Sequence, residues 1–363
     1  MIDPFDLTTQ EAINNPSPIF SAMLEKAPVH YSNNLKSWVL ADYANVKTAL
    51  MDPRFSVEKM SPFAEHMADS VDKHKIAELT RVLGGWMVFK DPPAHTRLRS
   101  VLQEPFKPRE IEKIRADVVK ISNSVAEEMA LYSGQTVDFI SVFANPLPAR
   151  VIAKLFGIEM AMVEQLTTWS DEIAKFVFSA RDTPDKYSRA YTALVEIQKF
   201  YLSVIAEHRV RPRNDLLSKM IAFEDNGSAL NDDEIISMMI LFLFAGHETT
   251  ANLIANGLMA LIQNPDQMAR LQKDPSLLPV AIEEFLRCQS PVQTVVRIAK
   301  ENIVLGGHQI LAGERVFALL AASHLDKLMF EDADLVDVTR RQNPHVAFGF
   351  GIHMCIGAPL ARI

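Results

Sequence analysis

The most pronounced hydrophobic pattern in this 363-residue chain is a long run of apolar residues with helical spacing. Asn231 and Glu234 precede the run with the spacing of a capping box, in which each side chain accepts a hydrogen bond from the other's backbone N–H. Asn264-Pro265 follows the run, and a residue before proline disfavours the helical conformation. The pattern therefore predicts a helix of about 30 residues, on the order of 45 Å long, whose apolar middle crosses the core.

A second helix is predicted directly after the first. Pro279 suits the first turn of a helix, VAIEEFLRC, and Pro291 ends it. The segment from about 331 to 347 has no hydrophobic period and is expected to be irregular coil.

Strand patterns are fewer than helical ones. VHYSNN and KSWVLADY together indicate a hairpin. Beyond Pro291 the chain alternates and turns at Gly306-Gly307 and Ala312-Gly313, which predicts a small antiparallel sheet. We expect a mainly α fold with a minor antiparallel β region. Because no repeat or flexible linker interrupts the chain, residues 1–363 are interpreted as a single domain.

The composition narrows the class of protein. The 45 acidic and 37 basic residues give a formal net charge of −8, which argues against a nucleic-acid partner. Two cysteines cannot form a disulfide framework, so a reducing compartment is expected. The N-terminus lacks the basic start and apolar core of a signal peptide, and the longest apolar run, ISMMILFLFAG, falls short of the roughly 18 residues of a membrane span. The sequence predicts a cytoplasmic protein without a membrane anchor.

The stretch FGFGIHMCIG, residues 348–357, concentrates glycine around Cys355. Gly349 and Gly351 allow positive φ and close approach of the backbone to a flat partner. A cysteine just before a helix N-terminus is favoured as the thiolate, and a lone thiolate suits an axial ligand of haem iron. On residue types alone two alternatives stay open, a buried structural thiol and a nucleophile assisted by His353. Cys288 has no comparable motif and is expected to be a packed, unreactive thiol.

FGFGIHMCIGAPLAR resembles the haem-binding signature of the cytochrome P450 family, F-G-x-G-x-H-x-C-x-G followed by L-A-R, in the form common in soluble bacterial members. The resemblance extends over essentially the whole chain, because three more motifs of the family occur in order. It implies the cytochrome P450 fold and haem b (protoporphyrin IX iron), with Cys355 as the metal ligand. It also implies that the C-terminal part of the family fold is missing after residue 363. The other haem contacts it implies are Phe348, Gly349, Gly357, Ala245 and, at the propionates, His95, Arg99, Arg297 and His353.

AGHETT, residues 245–250 on the long predicted helix, resembles the oxygen-activation motif of the family, A-G-x-[E/D]-T. Small residues at Ala245 and Gly246 are expected to leave room beside a ligand, and Gly246 is expected to weaken the helix locally. The resemblance implies that the freed hydroxyl of Thr249 holds dioxygen and water by hydrogen bonds, while Glu248 supplies protons through water. In isolation, both would be interpreted as ordinary polar helix residues, since a threonine often bonds the carbonyl four residues earlier.

Two further motifs have architectural or cofactor-binding roles in the family. EEFLR contains Glu284 and Arg287 in the family's E-x-x-R spacing, which places both charges on one helical face. Such a pair is usually a surface salt bridge, but the resemblance implies a buried pair that fixes the coil carrying the cysteine, with Arg340 as the candidate third member. DPPAHTRLR resembles a segment of soluble members in which His95 and Arg99 bind a haem propionate.

The resemblance implies a monooxygenase that inserts one atom of O₂ into a small apolar organic substrate. It would take electrons from a separate ferredoxin or flavodoxin-type donor with its NAD(P)H reductase. Alternatives are a peroxide-driven peroxygenase on the same fold and a non-catalytic haem-thiolate sensor. Substrate contacts are expected from residues 56–90 and 165–190 and from Leu241, Phe244, Ala245, Val292 and Val295; the substrate itself, the native donor and the oligomeric state do not follow from the sequence.

Overall fold

The structure is a computed structural model that describes residues 5–60, 72–178, 185–225 and 228–363. In these ranges the α-helices are α1 (Gln10–Asn14), α2 (Ser17–Lys26), α3 (Tyr43–Met51), α4 (Lys73–Leu83), α5 (Ala94–Gln103), α6 (Pro108–Ala130), α7 (Pro146–Leu155), α8 (Val163–Phe178), α9 (Lys186–Val210), α10 (Leu216–Ile221), α11 (Asp232–Gln263), α12 (Pro265–Lys273), α13 (Leu278–Cys288), α14 (Leu320–Ser323) and α15 (Ala358–Ala361). The strands are β1 (Val29–Ser32), β2 (Ser37–Leu40), β3 (Phe55–Ser56), β4 (Glu224–Asp225), β5 (Ser228–Ala229), β6 (Val295–Ala299), β7 (Ile303–Leu305), β8 (His308–Ile310) and β9 (Arg315–Ala318). The mainly α fold with minor β structure is confirmed.

The chain divides into two compact units. The sheet unit comprises Met1–Val57 and Leu253–Ala358 together with Arg362, and the helical unit comprises Glu58–Asn252 with the remaining C-terminal residues. The loop with Cys355 belongs to the sheet unit, whereas the AGHETT motif belongs to the helical unit. The expectation of one domain over residues 1–363 stays a prediction.

The main sheet has the strand order β1-β2-β9-β6-β3. The predicted hairpin of β1 and β2 is confirmed, with Val29 opposite Leu40, and β6 pairs antiparallel with both β9 and β3. The antiparallel pairing predicted beyond Pro291 is confirmed in β6 with β9 and in β7 with β8. The sequence did not predict that β2 and β9 pair in parallel, which joins the hairpin to these strands. Short turns join only antiparallel strands, so a parallel pair between distant strands leaves no local sequence pattern.

Helix α11 begins as predicted, with a capping box. Asn231 N donates to Glu234 Oε2 (3.1 Å), and Glu234 N donates to Asn231 Oδ1 (2.9 Å). The helix ends one residue before Asn264-Pro265, also as predicted. Among the described residues, α11 is the one helix long and apolar enough to cross a membrane, but 56% of its most apolar window is buried inside the protein, as in a core helix.

Gly246 has a packing role that the sequence pattern did not reveal. We expected a local weakening of α11 at this glycine, but the helix continues through it without interruption. A Cβ atom on Gly246 would lie 2.5 Å from Ile152 Cδ1 and 2.8 Å from Ile152 Cγ1, on α7. Both distances are too short for carbon atoms in contact, so the glycine allows α7 to pack against α11.

Gly246→Ala is therefore expected to lower the free energy of unfolding. Overpacking of this kind costs about 1–3 kcal/mol, and the higher helix propensity of alanine offsets about 1 kcal/mol of it, which leaves a net loss of up to about 2 kcal/mol. In an Ile152→Ala background the clash is absent, and the same substitution should be neutral or stabilising. Urea unfolding of the four proteins in this double-mutant cycle checks the prediction, and equal losses in both backgrounds would contradict it.

Candidate haem-binding site

Two backbone hydrogen bonds close the loop that carries Cys355. Gly349 N donates to Val346 O at 2.8 Å, and Cys355 N donates to Phe348 O at 2.8 Å. The second bond joins Cys355 to Phe348, the first residue of the predicted signature, so the position of the cysteine depends on the position of Phe348.

The glycines of this loop adopt the left-handed conformation predicted for them. The φ angles of Gly349 and Gly351 are 71° and 73°, values that side chains with a Cβ rarely adopt. A Cβ on Gly351 would lie 3.1 Å from Leu50 O. Gly351 therefore permits a close approach to the end of α3, in addition to the backbone freedom expected beside a flat partner.

The thiol lies on an exposed and apolar part of the loop. Cys355 is exposed, and the side chains of Ile352 and Met354 are 54% and 42% exposed. A Cβ on Gly357 would still be 3.9 Å from the Cys355 sulfur. Among the described residues no three His, Cys, Asp or Glu side chains cluster as a metal site. A single soft sulfur ligand beside apolar side chains suits a flat, largely apolar iron complex, so these residues fit haem.

A charged network that sequence reasoning missed lies beside this loop. Arg362 donates to Glu283 with two bonds, at 2.6 and 2.9 Å, and His345 Nε2 lies 3.0 Å from the same carboxylate. Burial alone would raise the pKa of Glu283, but these hydrogen bonds lower it to about 2. The guanidinium of Arg362 lies 4.6 Å from the centre of the Phe348 ring. Its pKa is raised first by the hydrogen bond to Glu283 and also by the negative charge that Cys355 would carry as a thiolate, so the two side chains lie within electrostatic range of each other.

The E-x-x-R pair is fully buried. Glu284 and Arg287, both on α13, have side chains that are 0% exposed and share two hydrogen bonds of 2.8 and 2.9 Å. Arg287 also donates to the carbonyl oxygens of His324, Ala333 and Leu335, at 2.6 to 2.9 Å. One arginine side chain thus binds three backbone carbonyls of the irregular coil between α14 and the cysteine loop.

The carboxylate of Glu284 accepts hydrogen bonds from the same coil. Arg340 Nε donates to it at 3.2 Å, Asn343 Nδ2 at 3.0 Å and Asp337 N at 3.0 Å. The candidate third member, Arg340, is confirmed in this position, and its own guanidinium binds the carbonyls of two earlier coil residues. The buried pair therefore organises the coil from both of its members.

Two predicted propionate contacts also lie in the sheet unit. Arg297 is 7% exposed and lies on β6 opposite Val316, and its Nη1 donates to the carbonyl of Val296 at 3.1 Å. His353 is half-buried, two residues before Cys355. Their roles toward a propionate stay predictions.

The other two predicted propionate contacts lie on α5 in the helical unit. The helix opens directly after Pro93, as expected. His95 is 2% exposed, and its pKa is lowered by burial and then by the neighbouring Arg99 cation. The electrostatic effect of Arg99 places the two basic side chains near each other, in agreement with the four-residue spacing.

The hydroxyl of Thr249 is not free, contrary to expectation. Its Oγ1 donates to the carbonyl of Ala245 at 2.5 Å, because α11 is regular here and a threonine in a regular helix can bond the carbonyl four residues earlier. The oxygen keeps its lone pairs as acceptors. Thr249 can therefore accept a hydrogen bond from water or a ligand without breaking the bond to Ala245.

Two titratable groups precede Thr249. Burial, and then the nearby carboxylate of Asp171 on α8, raise the pKa of Glu248. His247 is 3% exposed, and burial lowers its pKa to about 4. Within the described ranges neither ring nitrogen of His247 has a hydrogen-bond partner. The motif thus carries one acid that retains its proton to higher pH and one histidine that stays neutral.

The predicted substrate contacts fall in both units. In the helical unit, Leu241 is 4% exposed, and the ring of Phe244 stacks on Trp86 with centroids 5.8 Å apart. In the sheet unit, Val292 is 36% exposed and Val295 begins β6. Of the two longer segments expected to contact substrate, residues 61–71 and 179–184 lie outside the described residues.

A sequence model of the family "Cytochrome P450" matches residues 51–363. The chain is 38% identical to "Cytochrome P450 107B1" of Saccharopolyspora erythraea over 335 residues, which are 91% of this chain and 80% of that protein. It is 33% identical to the "Vitamin D(3) 25-hydroxylase" of Pseudonocardia autotrophica over 362 residues, 99% of this chain and 85% of that protein.

Solved structures agree with the sequence matches. The chain resembles the crystal structure of P450BioI in complex with hexadec-9Z-enoic acid ligated acyl carrier protein, with a TM-score of 0.89 and 31% identity. That match covers 97% of this chain and 88% of the other.

Proposed function

The chain belongs to the cytochrome P450 family and is a haem-dependent monooxygenase, and from this premise we propose that the Cys355 thiolate would hold the iron of its haem. The observation that carries the proposal is the exposed thiol on a loop with two left-handed glycines, whose backbone is bonded to Phe348. No other thiol fits, since burial raises the pKa of Cys288 to about 12. Cys288 is thus a packed, protonated thiol, whereas Cys355 is exposed.

We propose that the haem b is held further by the residues of the family motifs. Phe348, Gly349, Gly357 and Ala245 would contact it, and four basic residues would bind its propionates: His95, Arg99, Arg297 and His353. When bound, the haem with its thiolate supplies the cleavage of the O–O bond and the transfer of one oxygen atom. The chain supplies binding, orientation and protons.

Glu248 and Thr249 are proposed to deliver protons during turnover. With its raised pKa, the carboxyl group of Glu248 holds a proton to higher pH than an exposed glutamate does. Thr249 Oγ1, already donating to Ala245, can accept a hydrogen bond from a water molecule and hold it in place. The pair would thus order water and carry a proton along it.

The partners are inferred from chemistry and from relatives. A separate ferredoxin or flavodoxin with an NAD(P)H reductase is proposed as the electron donor, and the cytoplasm as the location. An apolar, lipid-like substrate is proposed because Leu241, Phe244, Val292 and Val295 are apolar. Two similar proteins are described by apolar compounds, one as a vitamin D(3) 25-hydroxylase and one in complex with a fatty acid on a carrier protein.

Thr249→Ala is expected to uncouple NAD(P)H oxidation from product formation. Without Thr249 Oγ1 as hydrogen-bond acceptor, the water molecule that carries the proton is no longer held in place. With a surrogate ferredoxin and reductase, and an apolar substrate chosen by its spin-state shift, NAD(P)H oxidation should continue. Product per NAD(P)H should fall by about tenfold or more. Thr249→Ser keeps the hydroxyl and serves as the control.

Unchanged coupling in Thr249→Ala would contradict the proton-delivery role. The same assay separates the alternatives. Product formation with hydrogen peroxide but not with the redox partners would indicate a peroxygenase. A spin-state shift without product under either condition would indicate a sensor.

A further inference from the structure

We propose that His324 is a positioning residue for the loop that carries Cys355, acting as a neutral imidazole that joins the end of α13 to the backbone of that loop. The inference deepens the proposed function, because it rests on Cys355 as the haem ligand. His324 follows α14 and is 0% exposed. It lies outside the family motifs of this chain.

The contacts of His324 determine which nitrogen carries the proton. Val346 N donates to Nε2 at 2.9 Å, so Nε2 must present its lone pair. The proton is therefore on Nδ1, which lies 2.9 Å from the carbonyl of Arg287 and 3.0 Å from Ser290 Oγ. Ser290 donates its own hydroxyl to the carbonyl of Leu286 at 2.7 Å, so its oxygen accepts from Nδ1. Only the Nδ1–H tautomer gives both ring nitrogens of His324 a hydrogen-bond partner of the right kind.

His324 and Arg287 hold each other. The imidazole donates to the carbonyl of Arg287, and Arg287 Nη1 donates to the carbonyl of His324 at 2.9 Å. Each side chain thus binds the backbone of the other residue. This reciprocal contact places His324 at a fixed position relative to the buried Glu284–Arg287 pair.

The opposite edge of the imidazole holds the cysteine loop. Val346, whose N–H is held by Nε2, in turn accepts from Gly349 N at 2.8 Å. Phe348, between these two residues, accepts from Cys355 N at 2.8 Å. Two backbone bonds therefore separate the His324 contact from the cysteine. Without the hydrogen bond from Val346 N to Nε2, the first residues of the cysteine loop would lose their attachment to His324.

The environment keeps the imidazole neutral. Burial, and then the positive charge that a protonated His345 would carry, lower the pKa of His324 to about 3. The charged and titratable groups around it are Arg287 on α13, His345 in the loop with its ring centre 5.9 Å away, and behind them Glu284 and Glu283. A proton on Nε2 would oppose Val346 N–H. The neutral form therefore stabilises the loop above the unfolded-state pKa of about 6.5, and this contribution is lost as pH falls toward 3.

The test uses three substitutions in the haem-loaded protein. His324→Gln can place an acceptor where Nε2 lies in the wild type. His324→Asn can place only a donor where Nδ1 lies. His324→Phe removes both the acceptor and the donor. Ser290→Ala, which leaves the Arg287 and Val346 bonds intact, is the control. Hydrogen–deuterium exchange at Val346 should accelerate by about tenfold or more in the Asn and Phe variants and remain slow in the Gln variant and the control. The red-shifted carbon monoxide band of thiolate haem should weaken in the same two variants.

If His324 acted only through its Nδ1 contacts with the end of α13, His324→Asn would protect Val346 from exchange better than His324→Gln. That result would overturn the proposal. Unchanged exchange at Val346 in the Phe variant would also overturn it. Should the variants fold poorly, ¹⁵N NMR of histidine-labelled wild type decides: the Nδ1–H tautomer, unchanged between about pH 5 and pH 8, supports the proposal and the Nε2–H tautomer refutes it. If the wild type lacks the shifted band while Val346 stays protected, the assignment of Cys355 fails and the role of His324 in holding the loop stands.

Discussion

Glu284→Gln is expected to give a protein that unfolds easily and retains little haem. Glu284 is buried with Arg287 and accepts from Arg340, Asn343 and Asp337 N as well. All partners of the Glu284 carboxylate are hydrogen-bond donors, so the NH₂ group of a glutamine would face another donor. The neutral glutamine would also leave Arg287 as an uncompensated buried charge. Breaking a buried pair in this way costs about 3–5 kcal/mol, a large part of the roughly 5–15 kcal/mol of a typical domain.

A surface pair with the same fork geometry provides the control. Glu128 accepts two bonds from Arg150, at 2.6 and 2.7 Å, with its side chain 51% exposed. Glu128→Gln should change stability by about 0–1 kcal/mol. Urea unfolding midpoints and haem content measure both variants. Equal urea midpoints and haem contents for Glu284→Gln and Glu128→Gln would contradict the prediction that the buried pair contributes more to stability than the surface pair.

Cys355→Ser is expected to abolish monooxygenase activity while leaving the fold intact. The thiol is exposed, so the substitution removes little packing, and a serine hydroxyl is a poor replacement for the thiolate proposed to bind the haem iron. Turnover with surrogate redox partners should fall to background, whereas the urea midpoint of the haem-free protein should stay near that of the wild type. Cys288→Ala is the matched control, since it removes the other cysteine and should retain turnover. Full activity in Cys355→Ser would exclude the assigned ligand.

The sequence predicted the features that depend on near neighbours. The capping box of Asn231 and Glu234 needs only a spacing of three, and the left-handed φ of Gly349 and Gly351 follows from residue type. The hairpin of β1 and β2 is similarly local. These features are visible because the residues that form them are adjacent or nearly so along the chain.

Contacts between distant segments were not predictable from one sequence. Gly246 suggested a weak point in a helix, but its actual partner is Ile152, almost a hundred residues earlier. The hydroxyl of Thr249 was expected to be free because a distortion was expected at Gly246. The network of Glu283 and the contacts of His324 bring together segments 22 to 79 residues apart, and the only local signals were a second glutamate in EEFLR and the arginine of L-A-R.

The measurement that tests the central claim most directly is the reduced carbon monoxide difference spectrum of the haem-loaded protein. Wild type and Cys288→Ala are predicted to show the strongly red-shifted Soret band of thiolate-ligated haem, and Cys355→Ser is predicted to lack it. Wild-type protein that binds haem without this band, or a Cys355→Ser variant that retains it, would contradict the assignment of Cys355 as the ligand of the haem iron.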